Sequence, residues 1–252
     1  MFLVFVLIGT GLAEQNLVLN PSVGKGNGTE PKVLRFLKTG FKVTNNFLNV
    51  KKKYDRYLLR KRVKIRNFSI ISNNCWGGSV YQDLGLKYTT PTIGLFFYAP
   101  CYIKMLKNLD FFLKSEIRFI SKSKYEDANT RRENGKKYPI GLLGEEIEIH
   151  FVHYATPQEA KEKWNRRLQR LNMENLFISF SDRDLCEPEH IKEFDNLPFK
   201  HKVCFTAKEY PNYKSVVWLK GYKNEPYIGD IVWNPEEYKK YFDVANWLND
   251  TS

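Results

Sequence analysis

Cysteine is sparse and scattered: Cys75, Cys101, Cys186 and Cys204, with no C-x-x-C pair among 252 residues. That spacing argues against a disulfide scaffold and against a thiolate zinc site, and it suits a reducing compartment. The apolar start, Met1–Ala13, falls short of the about 20 residues needed to cross a bilayer. It has the length of a signal h-region, and Gly11-x-Ala13 passes as a cleavage site. No Lys or Arg precedes it, so the n-region is missing, and a buried strand or an upstream-extended start is the preferred reading. Neither the Walker nor the dinucleotide spacing occurs, and no recognised nucleic-acid motif is present.

What the chain does have is apolar and aromatic material. Hydrophobic residues make up 42%, with 15 Tyr and 18 Phe, enough for one sizeable core and too much for a disordered body. Residues 1–50 read as a variable leader, with a Gly-, Pro- and Asn-rich loop at Asn20–Pro31. Residues 51–66 hold nine Lys or Arg against one Asp, so eight of the chain's twelve net positive charges sit there. Val50, Tyr54, Tyr57, Leu58 and Ile65 recur among these charges at helical spacing. Such a basic amphipathic helix suits an anionic membrane surface; a solvated leader helix is the other reading. Nucleic acid is the least favoured partner.

Residues 67–252 read as one α/β domain. Strands are expected at Phe68–Ser72, Thr92–Tyr98, Ile117–Ile120, Glu146–Tyr154, Leu176–Phe180, Lys202–Phe205 and Val216–Leu219. Helical segments are expected at Tyr81–Leu86, Tyr102–Lys114, Glu189–Phe194 and Pro235–Leu248, and Lys122–Lys137 reads as a surface loop. Thr156, Pro157 and Glu159 form the start signal of another helix, with a buried stripe at Ala160, Trp164, Leu168 and Leu171. Strand–helix alternation and continuous apolar strands predict a layered, largely parallel sheet flanked by helices, Rossmann-like in general architecture.

In such sheets ligands bind beyond the carboxyl ends of the strands. The first strand is followed by Ser72, Asn73, Asn74, Cys75, Gly77 and Gly78. Glycines let backbone N–H groups approach a phosphate or sugar, and the next helix start favours an anion. The alternative is a tight turn capped by asparagines. After Leu176–Phe180 come Asp182 and Asp184, hard oxygen ligands for a divalent cation, or else an Asx turn. On Glu146–Tyr154, Glu146, Glu148 and His150 share one face, and His153 lies near the end. Either histidine is a candidate general base; an exposed polar strand face is the alternative for the glutamates. Cys75 at a helix start is a candidate nucleophile, or a small buried thiol.

The chain resembles a bacterial family known as domain of unknown function nineteen-nineteen. The resemblance rests on I-I-S-N-N-C-W-G-G, Y-Q-D-L-G-L, P-T-I-x-L-F-F from Pro91, Y-I-K-M-L, Y-P-I-G from Tyr138, E-I-E-I-H-F-V-H-Y, the E-A-K-x-K-W helix, F-D-N-L-P-F, K-V-C-F-T and F-D-V-A-N-W-L-N. It covers about residues 66–250. Members are often labelled exopolysaccharide biosynthesis proteins. The resemblance implies an α/β fold and a link to surface-glycan assembly, and it transfers no catalytic residue. The expectation is a cytoplasmic protein, peripheral at the inner membrane, acting on a nucleotide-sugar or glycan intermediate as a glycan-modifying or glycosyl-type transferase. A non-catalytic glycan-binding partner of the same machinery is the alternative.

Overall fold

A computed structural model describes residues 49–135 and 137–250. The leader readings, Met1–Ala13 and Asn20–Pro31 included, lie outside the described residues. Val50–Ser252 form one compact unit.

The sequence's apolar runs become a four-stranded parallel sheet. Its strands are β1 (Ser69–Ser72), β5 (Leu176–Ser181), β6 (His201–Thr206) and β7 (Val216–Trp218), in the order β1-β5-β6-β7. Alternate residues of the same strands face opposite sides. Ile71, Ile178, Phe180 and Cys204 join one apolar cluster, while Ile70, Phe177, Val203 and Phe205 join the other. Both faces are therefore covered, which explains why these strands read as continuous apolar runs. Parallel pairing sets Ser72 beside Ser179, so the segments leaving β1 and β5 emerge side by side.

A second, antiparallel sheet contains β2 (Ile117–Ile120), β3 (Ile140–Leu143) and β4 (Ile147–His150). The fold is thus mixed α/β: the larger sheet is parallel as expected, and the smaller antiparallel sheet is an addition to it. The strand expected at Thr92–Tyr98 is instead a connector. Gly94 adopts a left-handed φ of 71°, and the hydrogen bonds that follow go to three different partners. Phe96 exchanges both backbone bonds with His150, at 3.0 Å each. Phe97 N donates to Asn73 O at 2.9 Å, and Ala99 N donates to Asp184 O at 2.8 Å. This short stretch stitches the ends of β1, β5 and β4 together.

Helices fill the rest. The helix α1 covers residues 49–62. Then come α2 (Trp76–Leu84), α3 (Ala99–Lys107), α4 (Leu109–Lys114), α5 (Glu126–Asn134), α6 (Pro157–Leu168), α7 (Pro188–Asn196), α8 (Pro235–Lys239) and α9 (Val244–Asn249). The expected helix at Tyr102–Lys114 breaks at Asn108, and that at Pro235–Leu248 breaks between α8 and α9. The expected loop Lys122–Lys137 contains α5. At α6, Thr156 Oγ1 accepts from Glu159 N at 3.1 Å and Glu159 Oε2 accepts from Ala155 N at 2.9 Å, so the start signal operates as read. Ala160 and Trp164 are buried as expected. Arg167, off that stripe, is buried too: its guanidinium donates to Tyr154 Oη and covers the Tyr88 ring at 5.2 Å.

Candidate ligand site at the strand ends

Asn73 and Asn74 leave β1 and reach across to β5. Asn73 Nδ2 and Asn74 Nδ2 donate to Ser181 Oγ at 3.3 and 3.0 Å. Ser72 Oγ lies 2.8 Å from Ser179 Oγ. Asn73 is fully buried, and its Oδ1 has no hydrogen-bond partner among the described residues. Asn74 Oδ1 accepts from Trp76 N at 3.0 Å and so caps α2. The turns after β1 and β5 thus leave the sheet side by side.

The glycines do a different task from the one expected. Gly77 and Gly78 are buried in α2. A Cβ on Gly77 would come within 3.0 Å of both Ile70 and Ser72, and one on Gly78 within 3.3 Å of Ile93. They let α2 press onto β1, and this packing, rather than an approach to a ligand, is what their missing side chains serve.

Asp182 and Asp184 divide as sharply. Asp182 Oδ2 accepts from Ala207 N at 2.6 Å and Oδ1 from Ile228 N at 2.9 Å. Both of its oxygens are spent tying the β6 exit and the 223–234 loop to the strand end. The pair therefore does not present two open carboxylates to a cation, and no group of three or more His, Cys, Asp or Glu able to hold a metal occurs among the described residues. Asp184 is the open one. It and Leu185 both take left-handed φ values, 56° and 62°, a conformation that Asp tolerates and Leu does not favour. No hydrogen bond from a described residue reaches the Asp184 carboxylate. Burial pushes it above its ordinary value; Arg183 and Arg131 pull it back, and Asp127 pushes it further up.

Around Asp184 stand groups that the sequence reading did not select. Arg183 Nη1 is 3.8 Å from Asp230 Oδ2. Arg131 pairs with Asp127 at 3.0 Å, and Tyr98 Oη donates to Asp127 Oδ1 at 2.7 Å. Tyr98 is held protonated, by burial first and by Asp127 second. Asp127 and Arg131 sit at i and i+4 in α5, inside the segment read as loop. That spacing was the available signal.

His150 is not a solvent-facing base. It is fully buried, stacked on Phe96 at 4.7 Å and edged by Tyr98 at 5.1 Å. Its Nδ1 lies 3.4 Å from Tyr138 Oη and its Nε2 3.5 Å from Glu148 Oε2. Glu148, whose alternative reading was an exposed face, is buried as well. Ser123 Oγ and Lys124 N donate to its two oxygens at 2.5 and 2.7 Å. Burial alone would raise this carboxyl, but His150, Ser123 and Lys124 N outweigh it and hold it below the ordinary value. Glu146, by contrast, is exposed and pairs with Lys104. His153 is exposed on the turn after β4, pinned by its backbone N–H to Gly94 O at 3.1 Å, and it does not join the cluster. Cys75 stands at the start of α2 without capping it, and burial, with the Asp230 charge second, pushes its thiol up to about 11. That keeps it protonated at neutral pH and unsuited to nucleophilic attack. All four cysteines are free.

A surface groove of about 350 Å³ lies elsewhere, between β2 and α6, lined by Phe119, Pro157, Gln158, Lys161, Glu162 and Asn165. It contains none of the strand-end residues.

With this geometry in hand, comparison with known proteins places the chain. Residues 45–249 match the family described as domain of unknown function (DUF1919). The chain belongs to that family. The match begins earlier than the residues quoted from the sequence and takes in α1. An uncharacterized protein of Haemophilus influenzae is 36% identical over 195 residues, covering 76% of this chain and 88% of that protein. Membership of DUF1919, a family of unknown function, leaves the chemistry to the site.

Proposed function

We propose that this DUF1919 protein is an enzyme of bacterial surface-polysaccharide assembly that takes a nucleotide-sugar or a related phosphorylated glycan intermediate at the carboxyl edge of its parallel sheet. A Rossmann-like use of that sheet, with ligands held beyond the strand ends, is part of the proposal. The observation that carries it is Asp184: a carboxylate at a parallel strand end that accepts no hydrogen bond from a described residue and feels the charges of Arg183 and Arg131. Two guanidiniums there suit phosphate oxygens, which they can grip bidentately. Asp184, held above its ordinary value by burial, suits proton transfer. In a glycosyl transfer it would take the proton of the attacking hydroxyl. The sugar carbon would form its bond to that oxygen as its bond to the departing phosphate breaks, and the arginines would hold the phosphate's charge. His150 and Glu148 would act as positioning residues through the Phe96–Ala99 stretch.

One observation favours the non-catalytic alternative. His150 is enclosed, burial pushes the Cys75 thiol up, and His153, the one exposed group of the three read as catalytic, lies apart from the strand-end cluster. A thermal-shift screen of nucleotide-sugars and sugar phosphates, followed by turnover assays on whatever stabilises the protein, separates the readings. Stabilisation with release of nucleotide supports the enzyme. Stabilisation without turnover supports the binding protein, and no stabilisation by any anionic sugar sinks both.

A further inference from the structure

The basic segment sorts its charges in a way composition alone conceals. Lys51 pairs with Glu236 at 2.9 Å, Arg56 with Asp83 at 2.7 Å, and Arg62 with Asp243. Arg60 donates to Asp83 O at 2.8 Å, and Arg66 to Arg60 O at 3.0 Å. Val63 is buried, and Leu59 and Ile65 pack on the core. One side of α1 is thus locked to the domain, so α1 is neither a detached leader nor a free helix. The remaining cations, Lys52, Lys53, Lys61 and Lys64, are exposed and have no ion pair among the described residues. Beside them the apolar stripe points outward: Val50 is 64% exposed, Tyr54 59%, Tyr57 54% and Leu58 40%. An amphipathic helix docked on its own domain normally buries its apolar stripe; here paired charges face inward and the aromatic stripe faces out. Lys51–Glu236 ties the start of α1 to the start of α8, and on the turn just before α8 stands Trp233, 87% exposed. Lys239, Lys240 and Tyr241, also exposed, follow.

We infer that the outward side of α1, with Trp233, is a docking surface for an anionic lipid bilayer. The occupant follows from the chemistry. Unpaired lysines complement acidic headgroups, and exposed Tyr and Trp are the side chains that settle at the headgroup level. No helix among the described residues is long and apolar enough to cross a membrane, so this contact lies on the surface. It is independent of the proposed chemistry at the strand ends.

The test uses the full chain with vesicles of phosphatidylcholine, with and without phosphatidylglycerol. Wild type is expected to bind only the anionic vesicles. Binding should weaken steeply as salt shortens the reach of exposed charges from about 30 Å at 0.01 M to about 8 Å at 0.15 M. Each lysine near such a surface is worth roughly fivefold in affinity. Changing Lys52, Lys53, Lys61 and Lys64 to Gln should therefore cost on the order of a hundredfold or more. That variant leaves every ion pair to the domain intact, and an unchanged melting temperature verifies the fold. Brominated lipid should quench wild-type fluorescence, and Trp233→Phe should remove most of that quenching, because Trp76 and Trp164 are buried and Trp218 and Trp247 are half-buried. The inference is overturned if the lysine variant binds as wild type does or if bromolipid quenching survives in Trp233→Phe. It is equally overturned if the face serves self-association or nucleic acid while anionic vesicles go unbound.

Discussion

Two carboxylates, the buried Glu148 and the half-buried Asp184, flank the Phe96–Ala99 stretch, and they have opposite fates. Glu148, on β4 of the antiparallel sheet, receives a hydroxyl and a backbone N–H and lies beside His150. Its charge is satisfied and its acidity strengthened. Asp184, at the end of β5, is also pushed by burial, but no hydrogen bond from a described residue relieves it. The first arrangement is what a fold does with a charge it needs for structure. The second leaves a polar group waiting for a partner, which is how binding and catalytic sites differ from cores. Asp182, two residues away, belongs with Glu148 in being used by the backbone.

That contrast can be broken by substitution, and the largest effect lies on the closed side. Trp164 packs against Phe151 in the core beneath β4, with ring centroids 6.2 Å apart. Trp164→Ala should cost about 3–5 kcal/mol, as truncation of a large buried aromatic does. A urea melt shifted by under about 1 kcal/mol would show that α6 does not close that core. Asp182→Ala comes next. It strips the Ala207 and Ile228 N–H groups of their acceptor, and stranding two buried donors should cost about 2–4 kcal/mol. If Asp182→Ala melts like wild type, the residue is not structural and the two-carboxylate cation site returns to consideration.

Glu148→Gln should be milder, about 1–3 kcal/mol at neutral pH. Its pH dependence carries the sign. The folded carboxyl titrates below its unfolded value, so its stabilisation is present above the unfolded range and is lost as pH falls through the folded one. The gap between wild type and Glu148→Gln should therefore close on acidification. A gap that widens would mean the carboxylate is not held charged.

Asp184→Asn should have the smallest effect on stability, and of the opposite sign. The folded carboxyl is raised, so it favours folding below its unfolded value and opposes folding as pH rises through the shifted one. Asn tolerates the left-handed backbone at 184. The variant should be as stable as wild type at neutral pH, or more so, with any advantage vanishing in acid.

The two sides were unequally legible from sequence. The β1 and β5 ends could be read, because apolar runs and turn residues are local and parallel pairing then brings Asn74 and Asp184 to one edge. What could not be read was which carboxylate is spent. Ala207 and Ile228 are 25 and 46 residues from Asp182, and no local pattern announces such bonds. The alternation in β4 gave the right face for Glu148 and His150 but the wrong environment, since the covering Ser123, Lys124 and Tyr125 lie in a segment that looked like loop. Thr92–Tyr98 misled because a fully apolar run is required equally of a buried strand and of a buried connector. In α1 the helical period was plain. That its charged side faces inward depended on Asp83, Glu236 and Asp243, far along the chain.

The claim on which the account turns is that Asp184 and Arg183 form the ligand-binding edge while Glu148 and His150 only support it. Titration of the best stabilising nucleotide-sugar or sugar phosphate into wild type, Asp184→Asn, Arg183→Gln and Glu148→Gln by calorimetry tests it directly. The account predicts that Arg183→Gln and Asp184→Asn lose affinity by tenfold or more, about 1.4 kcal/mol, with melting temperatures unimpaired, whereas Glu148→Gln loses stability yet binds as wild type does once folded. Undiminished binding by both Asp184→Asn and Arg183→Gln would contradict it.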